Sequence, residues 1–482
     1  MTAVAIVGGG FGGIAAAVRL LGSGTAASDI TIFESSDGPG GTWWVNRYPG
    51  CAVDTHIHAY EFTFATRDWS SSHPPQAELA AYARDIVESH GFADRFVYDT
   101  TVTEAVWDDR AQSWTLRAGE RELGTFDVVV SAVGLLDRPQ LPDWAAASPV
   151  PVVHSSRWEP GTSVRGRTVA VVGTGSTSAQ LVPALAREAG RVIVYQRQPG
   201  WVEPRDDRDF TPAEQSRYRR RWRRLLSRAR IFWRFRGRSK GFRADSRRQR
   251  RQRAAGLDYI GRTLSDPALV AAVTPDYPWG CKRPVITSAF YPALAQPHVE
   301  LVAAAVEGVD ERGVHAADGS VHAVDLLVLA TGYRASGFLE HLRVVGPEGE
   351  LSEAWSTRPV AFLGITVPGF PNLFVMYGPN TNGSPTMTAY LDVQARMIAR
   401  SVARLRRRPG IALDTRADAE RRWTAFVDRN IARRISATAS GCTNYYSRGG
   451  VNVTQWPLTW EWYAAAAAVL PRYALVERRP AG

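Results

Sequence analysis

The feature that most constrains the fold of this chain is a glycine-rich loop that occurs twice, each time between an apolar strand pattern and a helical pattern. The first copy follows Val4–Val7 and reads GGGFGG, so Gly8, Gly10 and Gly13 stand in the spacing G-x-G-x-x-G. In that spacing the first glycine permits a tight turn, the second lets a pyrophosphate approach the backbone, and the third lets the helix pack closely on the strand. The N-terminus of the helix attracts the phosphate charge. The loop therefore predicts a dinucleotide site.

The strand pattern that follows this loop, residues 29–33, ends in Glu34. A carboxylate at that position accepts a hydrogen bond from a ribose 2′-hydroxyl and repels a 2′-phosphate. We therefore expect the first site to hold a dinucleotide that lacks a 2′-phosphate.

The second copy follows Thr168–Val172 and reads GTGSTS, with a serine at its third small position. The next strand pattern, Arg191–Tyr195, leads to Arg197, where the first copy has its acid, and a guanidinium suits a 2′-phosphate. This difference predicts NADPH at the second site. FAD is expected at the first, because NAD(H) and NADPH together would leave no redox centre between them. The predicted NADPH contacts in this region are Gly173, Thr174, Gly175, Ser176, Thr177, Ser178, Arg197 and Gln198.

Two similar segments, DVVVSAVGL at 127–135 and DLLVLATGY at 325–333, are interpreted as the points where the chain leaves the first unit and returns to it. The expected fold is therefore α/β, with two Rossmann-like dinucleotide-binding domains, the second inserted in the first. The predicted FAD-binding domain comprises residues 1–140 and residues 326–482, which include a C-terminal active-site segment. The predicted NADPH-binding domain comprises residues 150–325, with an Arg-rich helical insert at about 205–278.

The positive charge of the chain is concentrated in that insert. The 482 residues carry a formal net charge of +11, whereas residues 217–253 contain 17 Arg, one Lys and one Asp and carry +17. The remainder is therefore about −6, so the high pI reports one segment and does not indicate nucleic-acid binding.

An apolar stripe at helical spacing runs through the same segment. The favoured interpretation is a helical subdomain that packs on the NADPH domain and leaves its arginines in solvent. The alternative is a peripheral contact with an anionic lipid surface or with an acidic partner. The residues of the stripe are Tyr218, Trp222, Leu225, Leu226, Ala229, Phe232 and Trp233.

The cysteine pattern and the lengths of the apolar runs predict where in the cell the protein is located. Three scattered cysteines, Cys51, Cys281 and Cys442, argue against a disulfide framework and for a reducing cytoplasm. No pair has the C-x-x-C spacing of a thioredoxin-reductase-like protein. No run of about 18 apolar residues occurs, so no transmembrane segment is predicted. No metal site is predicted, and the expected location is cytoplasmic.

The stretch GGTWWVNRYPGCAVD at residues 40–54 carries a family resemblance. It fits the pattern [A/G]-G-x-W-x-x-x-x-[F/Y]-P-[G/M]-x-x-x-D in full, and on this basis the chain resembles the Baeyer–Villiger type of class B flavin monooxygenase. The residues at the seven restricted positions are Gly40, Gly41, Trp43, Tyr48, Pro49, Gly50 and Asp54.

The resemblance implies an active site. Asp54 would lie beside the flavin, contact NADP and orient Arg283, which would lie over the flavin as the catalytic cation, while Lys282 would bind the 2′-phosphate. Trp43 and Trp44 would exclude water. The resemblance implies Thr42, Trp43, Asp54, Tyr60, Val102 and Met387 as FAD contacts, Trp456 as an NADP contact, residues 378–380 as a loop near the flavin, and residues 444–446 as part of a closing segment.

A second family signature is only half present. His154 and Trp158 are correctly spaced in HSSRWEP, whereas Ser148, Val150 and Glu159 depart from the pattern. The resemblance implies that this segment links the domains, with His154 and Trp158 in a hinge or positional role toward NADP(H).

The implied activity is conversion of a ketone to an ester or lactone with NADPH and O₂, through a C4a-peroxyflavin. The residues leave two alternatives open. One is a flavin-dependent N- or S-oxygenase of the same class, which the incomplete second signature allows. The other is a non-oxygenating flavoprotein that oxidises NADPH.

Overall fold

The protein is represented by a computed structural model, which describes residues 2–244, 246–434, 436, 444 and 446–480. Two parallel five-stranded sheets form the framework, and each contains one of the glycine-loop strands. In spatial order the first sheet comprises Leu373–Val375, Val128–Ser131, Val4–Val7, Ile30–Phe33 and Phe96–Val97. The second comprises Val299–Val302, Arg191–Tyr195, Thr168–Val172, Leu326–Leu329 and Val152–His154.

Smaller sheets and helices cover this framework. One five-stranded sheet is made of Gly349–Glu350, Arg343–Gly346, Glu104–Asp108, Ser113–Ala118 and Arg121–Phe126. A three-stranded sheet is made of Val306–Asp310, Gly313–Ala316 and Val321–His322. The two-stranded sheets are Val202–Glu203 with Val285–Ile286, Ala412–Thr415 with Leu475–Arg478, and Ser447–Arg448 with Val451–Asn452. The α-helices of the described residues are Phe11–Gly22, Thr42–Val45, Ile57–Tyr60, Gln76–Ser89, Ser176–Leu185, Pro212–Arg219, Arg221–Ser239, Arg247–Thr263, Pro267–Val273, Phe290–Leu294, Leu351–Ala354, Met387–Arg407, Ala417–Ile431, Trp460–Val469 and Pro471–Ala474.

The central strands of both parallel sheets are continuous apolar runs, as expected for strands buried on both faces, here by helices on one face and by a smaller sheet on the other. All four residues of Val4–Val7 and of Leu326–Leu329 are buried. Phe11–Gly22 and Met387–Arg407 pack on each other and contribute to the same large core cluster. The α/β class, the two Rossmann-like units and the helical insert are thus confirmed.

The two similar segments contain equivalent strands of the two sheets, and in each case the chain crosses to the other unit after this strand. Val128–Ser131 lies beside Val4–Val7, and Leu326–Leu329 lies in the same way beside Thr168–Val172. The aspartate before each strand accepts a hydrogen bond from the neighbouring glycine-loop strand: Ala3 N donates to Asp127 at 2.7 Å, and Thr168 N to Asp325 at 2.8 Å.

The expected boundary at 325/326 therefore falls too early, because residues 326–329 belong to the second sheet. The chain returns to the first sheet at Leu373–Val375, which pairs with Val128–Ser131. That strand has three residues, and its apolar pattern gave no sign of which sheet it joins.

The insert is helical, but the inward orientation expected for its apolar stripe is wrong. Its longest helix, Arg221–Ser239, is called the Arg-rich helix below. Trp222 and Trp233 on the predicted inward stripe are 58% and 76% exposed, whereas Arg224 is 6% exposed. The helix packs against Ile57–Tyr60, beside the first glycine-loop unit. Arg224 and Arg228 face inward because Glu61 and backbone carbonyls accept their hydrogen bonds there.

Of the two cysteines among the described residues, one is disulfide-bonded and the other is free. Cys281 is disulfide-bonded, although the scattered cysteines argue against a disulfide framework. Cys51 is free and buried, and burial raises the pKa of its thiol to about 12. Cys442 lies outside the described residues. Within the described part of the chain, no helix has the length and apolar character needed to cross a membrane.

Candidate active site

The first glycine loop has the backbone geometry of a dinucleotide cradle. Gly8 has φ +104°, and a Cβ there would lie 2.7 Å from the carbonyl oxygen of Ala132. A Cβ on Gly13 would lie 2.0 Å from the Gly8 oxygen. Gly10 precedes the first residue of Phe11–Gly22, so the N-terminus of this helix faces the loop. Side chains are therefore excluded where a pyrophosphate would approach.

The first two glycines of the 40–54 stretch close this loop from one side. Gly40 N donates to Gly9 O at 3.0 Å, and Gly10 and Gly40 form a parallel bridge. Gly41 has φ +55°, and a Cβ there would lie 2.9 Å from Gly10 Cα. Backbone-to-backbone contact of this kind explains why both positions are glycine.

Glu34 lies at the predicted edge of the loop and is buried. Its Oε2 accepts from Gly9 N at 2.6 Å, and its Oε1 accepts from Ser36 N at 2.8 Å. A carboxylate has about four acceptor positions, so capacity remains for a ribose hydroxyl. Val102 lies buried in the core cluster that includes Val7 and Phe33, beneath the same strand ends.

Trp43 and Tyr60 form a buried pair. Thr42 is the first residue of Thr42–Val45, which places Trp43 inward, and Trp43 Nε1 donates to Tyr60 Oη at 2.8 Å. Tyr60 Oη lies 3.8 Å from Met387 Sδ, at the start of Met387–Arg407. Burial is the main cause that raises the pKa of Tyr60 above its usual value, so the phenol keeps its proton at working pH.

Trp44 has a different environment from Trp43. It is half-buried, its Nε1 donates to Asp37 at 2.7 Å, and the Arg47 guanidinium lies 4.6 Å above its ring. A Cβ on Gly38 would clash with this ring at 2.4 Å. These contacts place Trp44 at a surface turn, where it covers Gly38.

Asp54 and Arg283 meet although 229 residues separate them. Arg283 Nη2 lies 3.2 Å from Asp54 Oδ2, and Thr55 Oγ1 donates to Asp54 Oδ1 at 3.2 Å. Both charged side chains are partly exposed. Asp54 and Arg283 also act electrostatically on the pKa of Tyr60, the former raising it and the latter lowering it. The predicted catalytic pair therefore lies next to the Trp43–Tyr60 pair.

The second glycine loop repeats the geometry of the first. Gly173 has φ +107°, and a Cβ there would lie 2.7 Å from the oxygen of Ala330, the counterpart of Ala132. Gly175 precedes Ser176–Leu185, so the residues from Thr174 to Thr177 surround the N-terminus of this helix. Ser178 is fully buried, as expected for the position that packs the helix on its strand.

A cavity of about 580 Å³ brings Arg197, Gln198 and Lys282 together, with Thr274 and Asp276 in its wall. Lys282 Nζ donates to the side-chain oxygen of Gln198. Burial, followed by the charge of Arg197, lowers the pKa of Lys282. Two cations held near each other in a cavity suit a phosphate. The negative charge of a phosphate would offset both the burial of the Lys282 ammonium and its repulsion by Arg197.

His154 and Trp158 lie at the edge of the second sheet, and both are buried. His154 Nδ1 lies 2.8 Å from Ser156 Oγ, and Nε2 lies 3.2 Å from Gly332 O. Burial is the main cause that lowers the pKa of His154. Its ring contacts Tyr333 at 5.5 Å between centroids, and Tyr333 Oη donates to Asn46 Oδ1 at 2.8 Å. His154 is thus connected through Tyr333 to the 40–54 stretch.

The C-terminal segment is joined to the loop at 378–382. Asn380 Nδ2 donates to Asn452 O at 3.0 Å, and Trp456 N donates to Asn382 O at 2.9 Å. The Trp456 ring is buried and stacked on Trp423, and its Nε1 donates to Thr459 O at 3.0 Å. Asn444 Oδ1 accepts from Tyr446 N at 3.1 Å, and Tyr445 lies outside the described residues. Contact of Trp456 with NADP stays a prediction.

Sequence reasoning missed Gln180, which connects the two units. Its Oε1 accepts from Tyr48 Oη at 3.0 Å, and its Nε2 donates to Ala52 O at 2.8 Å. Gly50, at φ +80°, lies so close that a Cβ would be 2.5 Å from Gln180 O. The Tyr-Pro-Gly turn is therefore seated on Ser176–Leu185. Only the helical position of Gln180, four residues after Ser176, could have indicated this contact.

The residues present fit both cofactors. The two cradles exclude side chains where pyrophosphates would lie, Glu34 suits a ribose without a 2′-phosphate, and the cavity at Arg197 and Lys282 suits a ribose with one. The Asp54–Arg283 ion pair lies at the end of a segment that contacts both units, since Gly40 bonds to Gly9 of the first loop and Ala52 to Gln180 of the second unit. The arrangement can hold a flavin and a nicotinamide with a permanent positive charge beside them.

Comparison with known proteins agrees with this geometry. Residues 6–71 match the family model of the NAD(P)-binding Rossmann-like domain, and residues 56–232 match that of L-lysine 6-monooxygenase/L-ornithine 5-monooxygenase. The chain is 35% identical over 464 residues to a Baeyer–Villiger monooxygenase of Streptomyces coelicolor, with 95% of this chain and 89% of that protein aligned. It is 33% identical over 470 residues to one of Pseudomonas aeruginosa, with 96% and 89% aligned. The structure of cyclohexanone monooxygenase from Rhodococcus sp. Phi1 bound to NADP⁺ superposes with a TM-score of 0.87 at 27% identity, covering 99% of each chain.

Proposed function

Because this chain belongs to the Baeyer–Villiger monooxygenase family, we propose that it uses FAD, NADPH and O₂ to convert a ketone into an ester or lactone. When bound, FAD would supply the redox chemistry that couples oxidation of NADPH to activation of O₂. The observation that carries the proposal is the ion pair of Arg283 with Asp54, 3.2 Å apart at the end of the segment that contacts both dinucleotide-binding units.

Arg283 is the proposed catalytic cation. A guanidinium keeps its proton at any working pH and offers several fixed donors, so it holds an oxygen in its anionic, nucleophilic form. An oriented donor of this kind contributes about 3 kcal/mol to a transition state in a water-poor site. Asp54 orients Arg283, and Thr55 fixes the other carboxylate oxygen.

Trp43 and Tyr60 form a buried apolar wall on one side of this charge. Both rings are buried at right angles with centroids 5.8 Å apart, and each one satisfies the polar atom of the other. Met387 covers the Tyr60 hydroxyl. Exclusion of water keeps the oxygen from being protonated and lost as hydrogen peroxide.

The remaining assignments complete the proposal. The two glycine loops bind FAD and NADPH through their backbones, Lys282 and Arg197 bind the 2′-phosphate, and Trp456 faces the nicotinamide. His154 and Trp158 act as a hinge. We place the FAD domain at 1–140 and from about residue 330 onward, with the NADPH domain between its two parts.

The free, buried Cys51 favours a cytoplasmic location, whereas the disulfide at Cys281 opposes it. Cell fractionation with thiol trapping decides between them.

The test is Arg283→Ala. We expect NADPH to reduce the flavin at the wild-type rate in stopped-flow absorbance, while ester formation from a ketone panel is lost and hydrogen peroxide appears instead. Arg312→Ala is the matched control, because Arg312 also forms an ion pair at 3.2 Å, with Asp310 on a surface hairpin. Ester formation by Arg283→Ala at the wild-type rate would refute the role assigned to Arg283.

A second candidate function has one supporting observation. The family model of L-lysine and L-ornithine monooxygenases matches residues 56–232, which favours oxygenation at nitrogen. The same stopped-flow experiment with amines and sulfides in place of ketones separates the two reactions. If only amines or sulfides speed the return of the oxidised flavin, the protein is an N- or S-oxygenase. Recovery of all the oxygen as hydrogen peroxide with every substrate would indicate a non-oxygenating flavoprotein.

A further inference from the structure

The Arg-rich helix exposes an apolar face to solvent. Leu225 and Leu226 lie three and four residues after Trp222, Ala229 lies four and three residues after these leucines, and Trp233 follows four residues later, so all five lie on one side of the helix. Their exposure is high for large apolar side chains: Trp222 is 58% exposed, Trp233 is 76% exposed, and the two leucines are 43% and 44% exposed.

The opposite side of the same helix is fixed to the protein by Arg224, which is buried, and by Arg228, which is half-buried. Arg224 donates to the carbonyl oxygen of Arg67 at 3.2 Å and pairs with Glu61 at 3.4 Å. Arg228 donates to the carbonyl oxygens of Ala59 and Glu61, both at 2.8 Å. Because these contacts determine the rotation of the helix, the apolar face is held outward in the folded protein.

The border of the apolar face is cationic. Arg221, Arg230 and Arg234 are exposed on the same helix, and the segment 217–253 carries +17. At the N-terminal end of the helix, a cavity of about 440 Å³ is lined by Arg67, Arg219 and Arg224 with Thr66 and Asp68. Guanidinium groups suit phosphate oxygens.

We propose that the Arg-rich helix lies in the surface of an anionic lipid bilayer, with Trp222, Leu225, Leu226 and Trp233 inserted at the headgroup level. An interfacial helix needs apolar and aromatic side chains on one face and basic side chains beside them, and both are present here. Arginine can extend its stem over the apolar layer while its charge reaches the phosphates.

Charge decides between a bilayer and a second copy of the chain. A symmetric dimer through this face would bring two segments of +17 against each other, which opposes association, whereas an anionic surface attracts the same segment. A protein held at a bilayer would also meet apolar substrates where they are concentrated. The proposal does not depend on which atom of the substrate is oxygenated.

The experiment is co-sedimentation of the FAD-loaded protein with vesicles. The vesicles contain either phosphatidylglycerol mixed with phosphatidylcholine or phosphatidylcholine alone, at low and at physiological salt. We expect binding to the mixed vesicles that weakens with salt, and much less binding to phosphatidylcholine alone.

The variant Leu225→Ser/Leu226→Ser should weaken that binding by roughly tenfold, because apolar area is removed from the inserted face. Leu136→Ser/Leu141→Ser is the matched control, since these leucines are 45% and 44% exposed outside the insert. Circular dichroism and flavin content show that each variant is folded.

Three outcomes would overturn the proposal. The first is no association of the wild-type protein with the anionic vesicles at low salt. The second is equal binding by the Leu225→Ser/Leu226→Ser variant, which would mean that the apolar face is not inserted. The third is a concentration-dependent dimer in sedimentation velocity that this variant abolishes, which would assign the face to a second copy of the chain.

Discussion

Lys282 and Arg197 are both expected to bind the 2′-phosphate of NADPH, in the cavity that they line together with Gln198. Lys282 is a point charge held by Gln198 and partly buried, whereas Arg197 lies exposed at the rim. A phosphate would compensate the Lys282 ammonium for its lost hydration, so the loss of Lys282 should remove binding energy that only NADPH obtains.

We therefore expect Lys282→Met to lower kcat/KM for NADPH by roughly 10- to 100-fold, as for the loss of one charge-assisted contact. The value for NADH should change little. Steady-state kinetics with both cofactors give this ratio, and Arg262→Met, on an exposed helix residue, is the control. An equal loss with NADPH and NADH would mean that Lys282 does not read the 2′-phosphate.

At the residue scale, the sequence predicted groups whose positions follow from local backbone geometry. Gly8 and Gly173 were predictable because their left-handed φ and close carbonyl neighbours are required by the loop itself. Asp54 and Arg283 were predictable only through a family pattern, since 229 residues separate them. Gln180 and Tyr333 were not, because neither their spacing nor their chemistry indicates partners at Ala52 and Asn46.

At the element scale, the Tyr-Pro-Gly turn and Ser176–Leu185 act as one unit. Gly50 combines φ +80° with a Cβ position 2.5 Å from Gln180 O, so an alanine there must move the turn away from the helix. Gly91 has a similar φ of +68° and open space around its Cβ position. Alanine substitutions at Gly50 and Gly91 therefore separate the energetic cost of backbone strain from that of the steric contact.

Gly91→Ala should cost about 1 kcal/mol, the usual strain of an L residue in the left-handed region. Gly50→Ala should cost more, about 2 to 4 kcal/mol, because a clash with backbone adds to the same strain. Urea denaturation of both variants with FAD bound measures the difference. Equal destabilisation would show that the turn does not press on the helix.

Arg228 connects the Arg-rich helix to the turn that carries Tyr60. Its Nη1 donates to the carbonyl oxygens of His58, Ala59 and Glu61, so one guanidinium holds the whole of this turn. Arg228→Met keeps the aliphatic stem and removes these hydrogen bonds. We expect a loss of stability of about 2 to 3 kcal/mol and a lower yield of ester per NADPH consumed, because Tyr60 loses its position.

Arg230→Met is the control, since Arg230 is exposed two residues further along the helix. The yield is measured as ester and hydrogen peroxide formed from the same amount of NADPH. An unchanged ester yield in Arg228→Met, with only the stability lowered, would limit Arg228 to a structural role.

The rotation of the Arg-rich helix shows what periodicity cannot predict. The apolar stripe from Trp222 to Trp233 was correctly recognised as one helix face, but hydrophobicity alone assigned it to the interior. The opposite face is buried because Arg224 and Arg228 meet Glu61 and backbone carbonyls contributed by a segment about 160 residues earlier. Such acceptors become visible only once the fold is known.

At the scale of the whole molecule, two similar units share one chain. Asp127 and Asp325, each at the start of a strand beside a glycine loop, make the same hydrogen bond in their own sheets. In both units this strand is the last one before the chain crosses to the other unit, which is why the two sequence segments resemble each other. The short return strand Leu373–Val375 carries too little pattern to assign.

The stability of the whole molecule should depend on pH through Glu61, which joins the insert to the first unit. Its carboxylate accepts from Trp69 Nε1 at 2.8 Å and pairs with Arg224 at 3.4 Å. Burial outweighs these partners and raises the pKa of Glu61 to about 7. The folded state therefore binds a proton that the unfolded chain releases above its ordinary pKa, so this group makes the protein less stable as pH rises from about 4.5 to about 7.

Glu61→Gln should remove this dependence, because the amide still accepts from Trp69 and does not ionise. Between pH 5 and pH 8 the free energy of unfolding of the wild-type protein should fall by roughly 2 to 3 kcal/mol more than that of the variant, at about 1.4 kcal/mol per pKa unit. Urea denaturation at both pH values measures it, with Glu340→Gln as the control at a partly exposed ion pair. Parallel stability–pH curves for the wild-type protein and Glu61→Gln would mean that Glu61 is ionised throughout this pH range. The attraction of Arg224 would then outweigh the cost of burying the carboxylate charge.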